Sequence, residues 1–172
     1  TTSITDATGQ TTRFEYNEAG QLIRQITPEG GVTEFGYDAL GRQVTESVLI
    51  SATDPSLKRT TTTTYRADGL IATVTEPDGS TTRFEYDLVG NQTAVIDPLD
   101  NRTERVYDAA GNRIRQIDPL GAITTFTYDA VNNLTETIDR NNRRRTFEYD
   151  PLDQLIQESW WNNDAVVGDL RF

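Results

Sequence analysis

Thr82-Arg83-Phe84-Glu85-Tyr86-Asp87-Leu88-Val89-Gly90-Asn91 is the stretch whose pattern decides the fold. Its first half alternates. Thr82, Phe84 and Tyr86 fall on one face of an extended chain, Arg83 and Glu85 on the other. Its second half is turn chemistry, an aspartate followed three residues later by a glycine. The stretch recurs. All seven tyrosines (Tyr16, Tyr37, Tyr65, Tyr86, Tyr107, Tyr128 and Tyr149) form one series with steps of 21, 28, 21, 21, 21 and 21 residues. Chance does not place every tyrosine of a chain on one grid. Phe14, Phe35, Phe84, Phe126 and Phe147 stand two residues before a tyrosine. Gly20, Gly41, Gly69, Gly90 and Gly111 stand four after, where the last two repeats have Asn132 and Asp153. Those residue types best tolerate left-handed backbone, so the substitution pattern predicts positive φ at this position.

A second turn follows 12 residues after the tyrosine, as in Pro28-Glu29-Gly30, Pro77-Asp78-Gly79, Pro98-Leu99-Asp100 and Pro119-Leu120-Gly121, with Arg140-Asn141-Asn142 in the sixth repeat. Asp6-Ala7-Thr8-Gly9 fits the same grid as an early half-unit. Threonine, isoleucine and aromatic residues between the turns favour strand, and no segment holds a helical period. The predicted fold is all-β, a repetitive antiparallel β-hairpin meander with two strands per repeat of about 21 residues. About 14 strands in one open sheet exceed the ~10 that such sheets hold without curling, so a curved band or spiral is expected. Tyrosines of successive repeats should lie about 9–10 Å apart on one face, which is expected to be the concave or covered one.

Residues 1–172 are expected to form a single array with two departures. The 28-residue step places a seven-residue insertion between Val48 and Thr60, a longer loop through Ser51–Lys58. The stretch from Trp160 to Phe172 leaves the pattern and should cap the sheet or continue it. The chain has no methionine, which predicts an excised or processed piece of a larger protein. A net charge of −11 repels phosphate backbones and anionic lipid, so neither nucleic acid nor membrane is an expected partner. No apolar run is long enough for a membrane span.

Histidine and cysteine are absent, which removes Ser-His-Asp, Cys-His and histidine-metal sites. Acids at turns and on the solvated strand face keep such an array soluble and blunt its edges. No cofactor, metal site or catalytic residue is expected. Arg143-Arg144-Arg145 is the only basic run, and its members should alternate across a strand and pair with neighbouring carboxylates. Trp160 and Trp161 are the candidate binding residues, able to stack on a sugar ring or to bury at the array's end. Asn91-Gln92-Thr93, Asn101-Arg102-Thr103 and Asn133-Leu134-Thr135 are formal glycosylation sequons.

Units such as Thr82 to Asn91, followed by Asp97-Pro98, resemble Rhs or YD repeats, and the resemblance covers about residues 1–159. The repeat motif comprises Tyr16, Gly20, Tyr37, Gly41, Tyr65, Gly69, Tyr86, Gly90, Tyr107, Gly111, Tyr128 and Tyr149. The family includes bacterial Rhs polymorphic toxins, insecticidal toxin-complex C proteins, wall-associated relatives and animal teneurins. The resemblance implies a β-strand spiral forming a hollow shell, which in bacterial members encloses a C-terminal toxin domain until delivery. It implies that the partners are neighbouring repeats and that cargo, and that the protein is secreted, delivered by a bacterial secretion system or held at the cell surface. The family's self-cleaving core end is matched only at Asp118-Pro119-Leu120-Gly121. Ala122-Ile123-Thr124-Thr125 then departs from it, so Asp118 is read as an ordinary turn residue. The expected function is a structural segment of a toxin-enclosing shell in interbacterial or host-directed competition. The alternatives are a carbohydrate- or cell-surface-binding module and, remotely, a carboxylate-dependent glycoside hydrolase. Unpaired strands at the array's ends predict edge-to-edge self-association.

Overall fold

The computed structural model describes residues 1–172 except 52, 53, 55, 163 and 164. Its chain falls into two units, Thr1–Arg83 and Phe84–Phe172. The first holds β1 (Thr2–Thr5), β2 (Thr11–Tyr16), β3 (Leu22–Ile26), β4 (Val32–Tyr37), β5 (Gln43–Leu49), β6 (Lys58–Tyr65), β7 (Ile71–Thr75) and the start of β8 (Thr81–Tyr86). The second continues β8 and adds β9 (Gln92–Ile96), β10 (Arg102–Tyr107), β11 (Arg113–Ile117), β12 (Ile123–Tyr128), β13 (Leu134–Ile138), β14 (Arg144–Tyr149), β15 (Leu155–Asn162) and β16 (Ala165–Arg171). Hydrogen-bonded neighbours follow chain order from β1 to β16 in an antiparallel meander. The sixteen strands among the described residues are two more than seven repeats supply. β1 belongs to the half-unit at Asp6–Gly9, and β16 pairs with β15 where the repeat pattern has already ended. The expected long loop at Ser51–Lys58 lies partly outside the described residues. Around it, β5 runs to Leu49 and β6 starts at Lys58.

Both turns of a repeat are built alike. The opening residue donates its amide to the carbonyl four residues on and accepts the amide three residues on. In the tyrosine turn, Asp87 N–H donates to Asn91 O at 3.0 Å and Gly90 N–H to Asp87 O at 3.3 Å. In the second turn, Asp97 N–H donates to Asn101 O at 3.0 Å and Asp100 N–H to Asp97 O at 3.0 Å. The fourth residue must enter the left-handed region, which a Cβ penalises. Gly111 does so at φ 86°, and the asparagine and aspartate substitutes Asn132 and Asp153 follow at 69° and 60°.

Of the two hairpins of a repeat, the tyrosine hairpin also carries a β-bulge; beyond the repeats, β15–β16 has one of its own. Tyr107 faces Arg113 and Val106 faces Arg115, so Ile114 is extra. Ile23, Val44, Ala72, Thr135 and Ile156 are the equivalent extra residues of five other hairpins. The bulge restores face alternation after the turn and bends the strand that carries it.

The sheet is one layer thick in each unit, and no large side chain is fully buried among the described residues. The five phenylalanines of the grid and most tyrosines are half-buried on their face. The three buried hydrophobic residues, Val32, Ala94 and Ile96, lie on the opposite, Arg/Glu face. Ala94 stands opposite Glu104, and Ile96 opposite Arg102. Arg102 reaches Glu85 at 2.8 Å and Glu104 at 2.7 Å. Methylene stems of such ion pairs cover small apolar residues while the charged heads stay wet. A face that reads as solvated thereby holds the lowest exposures of the chain, with Ala94 at 0%.

Candidate functional site

The sequence singles out the tyrosine row and the two tryptophans. The tyrosine row is a hydrogen-bonding device. Tyr37 donates its hydroxyl to Leu22 O at 2.7 Å and Tyr65 to Gln43 O at 2.6 Å. Tyr107 donates to Gln92 O at 3.0 Å, Tyr128 to Arg113 O at 3.1 Å and Tyr149 to Leu134 O at 3.0 Å. Leu22, Gln43, Arg113 and Leu134 each stand just before the bulged residue of the preceding tyrosine hairpin. There the ladder to the next strand has stopped: β3 pairs with β4 only over Arg24–Ile26, and β13 with β14 only over Glu136–Ile138. A half-buried carbonyl without a ladder partner is costly, and the tyrosine hydroxyl satisfies it. Tyr16, in the first tyrosine hairpin, is the exposed member of the row at 44%. Burial pushes the Tyr149 phenol above its ordinary value, with the Asp129 carboxylate adding to the effect.

Most turn aspartates work inside their own turns, Asp118 and Asp153 also meeting Arg140 and Asn133 of other turns. Asp87 Oδ1 accepts the amides of Val89 and Asn91 at 3.0 and 2.9 Å, and Oδ2 accepts Asn91 Nδ2 at 2.9 Å. Asp97 repeats this with Leu99 and Asn101, and Asp108 with Ala110 and Asn112. The Asn91 and Asn101 side chains hold the Asp87 and Asp97 carboxyls below the usual carboxylate range. These oxygens are committed to local donors, which leaves them poor acid–base groups or cation ligands. The acceptor amides of the sequons Asn91, Asn101 and Asn133 are likewise spent on turn carboxylates. Neighbouring tyrosine turns are also laced together, Asn112 to Asn132 at 2.7 Å and Asn133 to Asp153 at 2.9 Å.

The basic run pairs with carboxylates, but only Arg144 and Arg145 do so from alternating strand positions, with Glu136 at 2.5 Å and Glu158 at 3.1 Å; Arg143 precedes β14 and pairs with Asp139 of its own turn at 2.6 Å. Trp160 and Trp161 come to opposite faces of β15, opposite Arg145 and Arg144. The Arg144 guanidinium lies 4.7 Å over the Trp161 ring, whose Nε1–H donates to Thr146 Oγ1 at 2.9 Å. Trp160 lies across from Gly168 on β16. Both tryptophans are half-buried.

The RHS Repeat family model matches residues 1–32, 16–48, 65–102, 107–144 and 128–159, well over half of the chain. The chain belongs to the RHS Repeat family. Among solved structures, this Rhs array is similar to a chain of the crystal structure of TcdB2–TccC3–Cdc42, at 15% identity and TM-score 0.79 over 94% of the array and 10% of that chain. It is similar to a chain of TcdB2–TccC3 at 16% identity and TM-score 0.75, over 90% of the array and 9% of that chain. A chain of the Photorhabdus luminescens Tc holotoxin pore, with a substitution in TccC3, matches at 16% identity and TM-score 0.72, over 88% of the array and 9% of that chain. At these identities the likeness shows the fold, and the array spans about a tenth of the chains it matches. No curated protein sequence matches it. The hydroxyl-to-carbonyl role of the tyrosines is the feature that sequence reasoning missed. Its signal was present, in that tyrosine never gives way to phenylalanine on the grid.

Proposed function

We propose that this array is a wall segment of an Rhs-type β-shell that encloses a C-terminal toxin domain of its parent polypeptide and helps deliver it. The observation that carries the reading is a hairpin array whose fold matches chains from Tc toxin complexes at TM-scores of 0.72–0.79. Its role is structural rather than catalytic. The polar atoms of its repeats are consumed in turns, bulge caps and ion pairs that hold one repeat to the next. Its partners are the neighbouring repeats and the cargo, and the parent acts outside the producing cell. Residues 1–172 work as one array, with an insertion at about 48–60 and a continuation at about 160–172.

Limited proteolysis of the full-length parent tests this. The C-terminal cargo should resist protease when the repeats are present and be cut when they are deleted. Equal accessibility in the two proteins refutes enclosure.

A further inference from the structure

The polar chemistry of the turns is interrupted by leucine and valine at their tips. Leu40, Leu88, Val89, Leu99, Leu120 and Leu152 are the most exposed of the large hydrophobic residues described, each more than three-quarters exposed. All six occupy the second or third position of a turn. The turns do not require them. Glu18-Ala19, Pro28-Glu29, Ala67-Asp68 and Pro77-Asp78 close the same turns with a polar tip. Within Phe84–Phe172 the apolar tips fall into two rows. The tyrosine turns present Leu88-Val89, Ala109-Ala110, Ala130-Val131 and Pro151-Leu152, with no polar side chain among them. The second turns, at the opposite ends of the strands, present Pro98-Leu99 and Pro119-Leu120, followed by the polar Arg140-Asn141. Single exposed leucines are ordinary, but a contiguous apolar row marks an interaction surface.

The two rows are complementary to each other. Tyrosine turns join β8 to β9, β10 to β11, β12 to β13 and β14 to β15, and second turns join β9 to β10, β11 to β12 and β13 to β14. Tips within a row are therefore two strand spacings apart, about 9–10 Å, and the two rows are out of phase by one spacing. When two copies lie end to end along their strands, each tip of one falls opposite a gap in the other. Leu99 and Leu120 of one copy then straddle the small Ala109-Ala110 tip of its neighbour. The two rows together bury on the order of 1,000 Å², the low end for a specific interface, which makes the contact weak and concentration-dependent. An aspartate opens every one of these turns, so approaching rims repel. Salt screens that repulsion and leaves the apolar contact in place.

We infer a head-to-tail interface between copies of this chain, the tyrosine-turn rim of one seated on the second-turn rim of the next. It uses other surfaces than strand pairing at β1 and β16, and it stands or falls apart from the wall role. Two different patches meet, so the contact is heterologous and can extend into stacks. The test is sedimentation velocity of the 172-residue chain at rising concentration, in low and in high salt. Species of two and more copies should appear and should gain population with salt. Two rim variants carry tips that the chain already uses, which keeps the turns intact. In the first, Leu88→Ala, Val89→Asp and Val131→Asp reproduce the Ala67-Asp68 tip. In the second, Leu99→Glu and Leu120→Glu reproduce Pro28-Glu29. Each variant alone should self-associate about tenfold more weakly than the parent. An equimolar mixture should recover a complex of one copy of each, because each variant keeps the rim that the other lacks. A strictly monomeric parent, association untouched by either variant, association weakened by salt, or a mixture that recovers nothing would each overturn the proposal.

Discussion

Replacing Tyr149 by phenylalanine isolates the hydroxyl from the ring. The variant keeps the half-buried aromatic surface and deletes one bond, the 3.0 Å donation to Leu134 O. A neutral hydrogen bond contributes about 0.5–1.5 kcal/mol net, and a fully buried acceptor left unsatisfied costs up to ~3. Leu134 is only half-buried, so water partly replaces the lost donor and about 1 kcal/mol is expected. For a chain of this length that lowers Tm by about 2–4 °C. Tyr107→Phe and Tyr128→Phe delete the equivalent bonds at 3.0 and 3.1 Å. The three sites are two strand spacings apart, about 9–10 Å, where mutational effects add, so the triple variant should lose about 3 kcal/mol. Urea titration followed by circular dichroism measures this, with the slope checked for constancy. Tyr16→Phe is the control and should fall within about ±0.5 kcal/mol of the parent. If Tyr149→Phe and Tyr16→Phe cost the same, or the triple variant loses under about 1 kcal/mol, the capping argument is wrong.

Four further outcomes are expected. Turn carboxyls such as Asp38, Asp87 and Asp97 titrate below their ordinary 3.8, Asp38 chiefly through Arg42 and the others through Asn91 and Asn101. A lowered folded pKa gives stability that is full above the unfolded value and lost as pH falls through the folded one, so urea midpoints should drop below about pH 4 and stay level from there to neutrality. Gly121→Val puts a branched side chain at φ 80° with open space around it, so its cost is backbone strain alone, about 1–2 kcal/mol by thermal melt. Gly36→Ala should also destabilise, for a different reason: its Cβ would collide with Thr45 Oγ1, and Gly36→Ala with Thr45→Ala should recover most of the loss in a double-mutant cycle. Among the described residues β1 and β16 each have one outer edge without a neighbour in the sheet, so size-exclusion profiles should shift to larger species with concentration, and a strictly monomeric profile would contradict this.

The strands, their direction and the positive-φ positions were legible because they depend on local chemistry. Alternation in Thr82-Arg83-Phe84-Glu85-Tyr86 and the interchange of Gly111, Asn132 and Asp153 at one grid position each need only neighbours in sequence. The pairing of Arg144 and Arg145 with carboxylates followed from the same alternation, whereas Arg143 stands before the strand and pairs within its own turn. What escaped depends on contacts between hairpins. Burial of Ala94 beneath the Arg102 ion pairs needs the register of β9 and β10 and the reach of an arginine stem. The hydroxyl-to-carbonyl bonds need the bulge, and a bulge is one extra residue that leaves no mark in a run such as Arg113-Ile114-Arg115. Trp160 and Trp161 were visible as candidates. Their division between the two faces of β15, beside a turn that has lost its proline, was not.

The 28-residue step shows what the tyrosine row does for the architecture. Four of the hydroxyl bonds span 15 residues, while Tyr65 reaches back 22 to Gln43, across the insertion. Seven added residues change the loop and the loop-closure entropy, yet the bond forms at 2.6 Å on the equivalent carbonyl. What is preserved is thus a relation between adjacent tyrosine hairpins in space and not a spacing in sequence. A single-layer sheet has no second layer to fix its register, and slippage by one residue would exchange its two faces. A side-chain donor that fits only the carbonyl beside the bulge penalises each such slip by a lost hydrogen bond at every seam. Sequence between the seams is then free to vary, as the insertion before Tyr65 and the polar turn at Asn141 both do.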